Sequence, residues 1–111
     1  MLQLATSYKA RDLVRAMKIA ESLRARETSI LKALEKVGLS NPVKLKNYFA
    51  NPSTVDTLGE RTMYTALYDV LGKRLVKEVW RKDGHFYELS SLGLLVLRCL
   101  DNDAIPDPTS P

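Results

Sequence analysis

A mainly α-helical fold carrying one small β-hairpin is what this sequence predicts, and three observations predict it. Apolar residues recur at helical spacing through most of the chain. Between Leu75 and Leu89 the period drops from 3.6 to 2, around the pair Asp83-Gly84. The 111 residues, 45% hydrophobic and 27% charged, suffice for one core and leave little room for a second.

The elements follow in order. From Ser7 to Arg24, Ala10, Leu13, Val14, Met17, Ala20 and Leu23 lie on one helical stripe, with Lys9, Arg11, Asp12, Arg15 and Lys18 opposite. Ser7 suits the N-cap. Residues 26–37 repeat the pattern through Ile30, Leu31, Leu34 and Val37, and Gly38 is the expected stop. Nothing between Leu23 and Thr28 forbids continuation, so 7–37 reads equally as one helix or two. Asn41-Pro42 is an N-cap followed by proline at the first helical position of a short helix, 43–50. Asn51-Pro52 ends it, and residues 53–59 read as a loop. Helical spacing returns over 60–73 through Met63, Ala66, Leu67, Val70 and Leu71. The hairpin occupies 75–89, and a last helix, 91–101, is capped by Ser90 or Ser91. Residues 1–103 thus form one domain. Residues 104–111 read as an acidic, proline-rich tail too poor in apolar groups to order itself.

The order helix, helix, helix, hairpin, helix, preceded by an extra N-terminal helix, is that of a winged helix-turn-helix domain. Specific residues strengthen the match. Thr62-Met63-Tyr64-Thr65-Ala66-Leu67-Tyr68-Asp69-Val70, followed by Leu75-Val76, resembles the recognition helix and first wing strand of the MarR and PadR regulator superfamily. Tyr87-Glu88-Leu89-Ser90-Ser91-Leu92-Gly93 is similar to that superfamily's junction between second wing strand and final helix. Arg26 to Leu39 resembles the first core helix, so the likeness covers about residues 26–100. It implies a dimeric, sequence-specific regulator of transcription that binds double-stranded DNA, with the recognition helix in the major groove and the wing on backbone or minor groove. Two departures stand out. The superfamily usually has Gly before Leu75-Val76, where this chain has Arg74, with Gly72 two residues earlier. Either Gly72 ends the helix early or Arg74 accepts a left-handed conformation costing about 1 kcal/mol or more. The stretch between the second and third core helices, 50–60, is also longer than the turn of about four residues in a tight helix-turn-helix.

Charge agrees with a polyanionic partner. Seventeen Lys and Arg face thirteen Asp and Glu, and the last eleven residues hold three Asp and no base, so residues 1–100 carry +7. With Met63, Ala66, Leu67 and Val70 inward, the recognition helix presents Arg61, Thr62, Thr65, Tyr68 and Asp69 outward, with Tyr64 at the boundary. Hydroxyl and guanidinium groups there suit phosphates and base edges. The compact basic tip Arg81-Lys82-Asp83-Gly84-His85 is the expected wing contact, and Lys44 and Lys46 are expected near the backbone. In the final helix seven of the nine residues 92–100 are apolar, more than one face can bury in a small domain. That excess, with the N-terminal helix, predicts a homodimer interface containing Leu13, Met17, Leu94, Leu97 and Leu100.

Other classes find little support. No glycine-rich phosphate loop, nucleophile–base pair or metal-ligand spacing is present, so no enzyme, cofactor or metal site is expected, and a small-molecule effector leaves no mark in sequence. Cys99 is the single cysteine, which excludes an intramolecular disulfide. Residues 1–4 lack the basic start of a secretory signal. The longest apolar run, Leu92–Leu97, is far short of the roughly 18 residues a bilayer requires, and an intracellular, cytoplasmic protein is expected. One Gln and four Asn hint at a heat-adapted, archaeal-like source. The rival reading is a winged helix used for protein contact within a larger nucleic-acid-processing or sorting assembly, which predicts no salt-dependent DNA binding.

Overall fold

A computed structural model describes residues 10–51 and 57–101; the expected cap at Ser7, Pro52 with the loop residues 53–56, and the tail of 104–111 lie outside the described residues. The elements are α1 (Ala10–Ser22), α2 (Ala25–Val37), α3 (Pro42–Ala50), α4 (Glu60–Gly72), β1 (Val76–Arg81), β2 (Gly84–Leu89) and α5 (Ser91–Leu100). Mainly α with a two-stranded β wing, this is the fold class the sequence predicts.

Over residues 10–37 the question of one helix or two resolves as two. Arg24 is extended at the start of α2, and its backbone N–H donates to the Glu27 carboxylate at 2.9 Å. Glu27 is 1% exposed and also accepts from Lys73 Nζ, just past α4. The break is therefore fastened by a residue 46 positions away, which local periodicity does not register. At its other end α2 stops at Gly38, whose φ of +75° favours glycine and whose N–H donates to the Leu34 carbonyl at 2.8 Å. The caps read from sequence at Asn41 and Ser90 hold. Asn41 accepts from the Lys44 N–H at 2.8 Å, with Pro42 opening α3, and Ser90 Oγ accepts from the Gly93 N–H at 3.0 Å.

The end of α4 shows which of the two alternatives the chain adopts. Gly72 stays helical, and Arg74 takes φ +64°, the one positive φ outside glycine among the described residues. The Arg74 N–H donates to the Leu71 carbonyl and the Leu75 N–H to the Val70 carbonyl, both at 3.0 Å. That pair of bonds is the Schellman termination, with arginine where glycine is usual. The Arg74 carbonyl then accepts from Ser90 Oγ at 2.7 Å, which ties the helix end to the start of α5.

β1 and β2 pair antiparallel from Val76↔Leu89 to Arg81↔Gly84, so the two-residue loop is Lys82-Asp83 and Gly84 opens the return strand. Ser40 adds a one-residue bridge to Tyr87 through two backbone bonds of 2.8 and 2.9 Å. The core gathers Ile30, Leu31 and Leu34 of α2, Leu45 and Phe49 of α3, Met63, Ala66, Leu67 and Val70 of α4, and Leu95 and Val96 of α5. Gly93 lets α5 pass directly over β1's entry: a Cβ there would lie 2.0 Å from the Leu75 carbonyl oxygen. No helix among the described residues is long and apolar enough to cross a membrane.

α1 lies along α5 and covers its second apolar stripe. One expected interface residue is thereby corrected: Leu97 is 4% exposed and belongs to the monomer core. Leu13 and Leu94 are half-buried, whereas Met17 and Leu100, with Val14 beside them, remain open. Met17, Ala20, Glu21, Cys99 and Leu100 line an open groove of about 300 Å³ on this face. Burial pushes the Cys99 thiol up, away from a reactive thiolate.

Candidate nucleic-acid interface

Helical periodicity builds the first half of the surface. Met63, Ala66, Leu67 and Val70 are buried on one side of α4. Arg61, Thr62, Thr65 and Tyr68 are exposed on the other, and Tyr64 is half-buried at the boundary, where the sequence puts it. The Tyr64 and Tyr68 rings lie 6.2 Å apart. Thr65 Oγ1 donates to the Arg61 carbonyl at 3.0 Å, so its proton is committed and its lone pairs face outward as acceptors.

The acidic residues of α4 are both partnered. Asp69 faces Arg26 of α2 at 3.9 Å, and Glu60 faces Lys46 of α3 at 3.3 Å. Lys46 is thereby brought to the N-terminus of α4. Both Lys46 and Glu60 are about half exposed, so a phosphate can replace Glu60 at little cost. Lys44 goes elsewhere: its ammonium donates to the Val37 carbonyl at the end of α2.

The hairpin supplies the second half. Arg81 and Lys82 at its tip are exposed and make no ion pair among the described residues. His85 does not join them as a free contact. Its ring stacks on Trp80, centroids 3.7 Å apart and planes 2° from parallel. Glu78 Oε2 lies 2.7 Å from its Nε2, off the line of the ring N–H. Tyr87 packs behind, its centroid 4.8 Å from that of His85. Burial first, then Tyr68, Glu78 and Tyr64, push the Tyr87 phenol up, so it stays neutral. Tyr64 and Tyr68 thus lie near enough to the inner face of the hairpin to act on it electrostatically. Trp80, Glu78 and Tyr87 escaped sequence reasoning, although strand alternation carried the signal: 76, 78 and 80 share a face with 85, 87 and 89.

Solved structures share this fold. The oxidized form of MarR from E. coli superposes with a TM-score of 0.60 at 15% identity, over 93% of this chain and 73% of that one. The fold is that of MarR. A cysteine-to-serine mutant of MarR from E. coli, complexed with operator DNA, matches with the same TM-score and identity, over 90% of this chain and 69% of that one. No family model and no curated protein sequence matches. Within that shared fold the hairpin is the β wing, set among the helices α1 to α5. At 15% identity the likeness to MarR concerns architecture; chemistry rests on the side chains above.

Proposed function

We propose that the protein is a homodimeric transcriptional regulator that binds double-stranded DNA sequence-specifically, with α4 in the major groove and the wing on backbone or minor groove. The observation carrying this reading is the pairing of an exposed Arg61, Thr62, Thr65 and Tyr68 face with a hairpin whose Arg81 and Lys82 make no ion pair among the described residues. Thr65 and Tyr68 stand where base edges would lie, and Arg61, Lys46, Arg81 and Lys82 where phosphates would. The MarR neighbour complexed with operator DNA supports the same use of the fold. Val14, Met17 and Leu100, exposed beside the groove between α1 and α5, form the proposed contact between copies. A two-fold dimer sets two recognition helices about one turn of duplex apart.

The test is selection of duplexes from a random pool followed by gel shift. Enrichment of a two-fold-related motif supports the reading. Failure to retain any duplex at low ionic strength contradicts it.

A further inference from the structure

Trp80 is the chain's single tryptophan and, at 73% exposed, the most open large apolar side chain described. One face of its indole is nevertheless covered, lying flat on His85, with Tyr87 and Glu78 beside the His85 ring. Strand register puts these groups on one face of the hairpin. The inner end of that face, Val76 and Tyr87, is buried. The outer end, Trp80, is open to solvent beside the hairpin tip. Arg81 and Lys82 follow directly in sequence.

Resting on the duplex-DNA reading, we propose that Trp80, backed by His85, is the apolar wedge of the wing, which packs its free face against sugar and base edges of the minor groove. Three features favour this occupant. The indole is already stacked on His85, so contact on its other face has less side-chain freedom to remove than for an unstacked ring. Arg81 and Lys82 are placed to hold the phosphates flanking it. The Glu78 carboxylate repels phosphate from the inner part of the same face, which leaves sugars and base edges for the ring to meet. An apolar side chain used this way partly unstacks a base step, and TA and CA/TG steps yield most readily. Selected duplexes should therefore carry such a step beneath the wing, outside the bases facing α4.

Because Trp80 is the only tryptophan, its emission reports directly on the contact. The experiment titrates the wild-type chain with a duplex selected from a random pool and follows indole fluorescence beside a gel shift. The expected result is quenching that saturates with binding. Trp80→Ala should bind roughly tenfold or more weakly, as for loss of a base-stacking aromatic, and Trp80→Phe should recover most of that loss. His85→Ala should fall between them, since the indole then lacks its backing. Unchanged emission on a bound duplex, with wild-type affinity in Trp80→Ala, overturns the wedge and leaves the duplex reading intact. If the wild type retains no duplex at all, both fall, and a protein partner becomes the occupant of this face.

Discussion

Replacing Arg74 by glycine should make the protein more stable. A left-handed conformation costs an L-residue about 1–2 kcal/mol relative to glycine, and Arg74 bears that cost at φ +64°. Its backbone must stay there, because the bonds to Leu71 and Val70 and the Ser90 hydroxyl all depend on it. Glycine raises the entropy of the unfolded chain and gives back about 0.5–1 kcal/mol. The net gain is then about 0.5–1 kcal/mol, or roughly 3–6 °C in Tm for a domain of this size. Thermal and urea melts of wild type, Arg74→Gly and Arg74→Ala provide the assay. Arg74→Ala keeps the left-handed cost and removes the side chain, so it should melt near wild type. If Arg74→Gly is no more stable than Arg74→Ala, the strain at the end of α4 is not what this geometry implies.

Three further outcomes follow from packing and charge. Gly93→Ala should cost roughly 3 kcal/mol or more in a chemical melt, because the new Cβ meets the backbone of Leu75, whose carbonyl is also held by the Ser90 N–H. Glu27 titrates below the ordinary glutamate value: burial pushes it up, but the Lys73 hydrogen bond, the Arg24 N–H and the charges of Lys73 and Arg24 outweigh that. Its stabilisation is therefore complete above the unfolded-state carboxylate range and is lost as pH falls through the lower folded value. Melts of wild type and Glu27→Gln should thus differ at neutral pH and converge in acid; a constant difference would refute the assignment. Met17→Glu should yield folded monomers by sedimentation, whereas Leu97→Glu, placing a charge in the core, should unfold the chain.

Most of the helical framework was legible because one-sided burial leaves a periodic trace: Ile30, Leu31 and Leu34, then Met63, Ala66, Leu67 and Val70, face the core as their spacing implies. Caps at Asn41 and Ser90 were legible because they are local. What escaped depends on partners distant in sequence. The break before α2 is fastened by Glu27 and Lys73. Leu97 falls in the core and not on the expected interface, because α5 is apolar nearly all round and only the docking of α1 decides which stripe is covered. On the candidate surface, the exposed side of α4 follows from its buried side. His85 and Trp80 required knowing which residues of two strands share a face, and that depends on register.

The central claim is that α4 and the wing form one DNA-binding surface, and the salt dependence of binding tests it most directly. The affinity of a selected duplex would be measured over a range of salt for wild type and for the double variant Arg81→Ala, Lys82→Ala. The wild type should show a steep fall in log affinity with log salt, and the double variant a slope shallower by about 0.9 for each phosphate contact removed, close to 2 in all. Tyr68→Ala, as the companion, should keep the wild-type slope but lose about 1–3 kcal/mol on the selected duplex and much less on random duplex. Wild-type slope and affinity in both variants, with each shown to be folded by circular dichroism, would contradict the account.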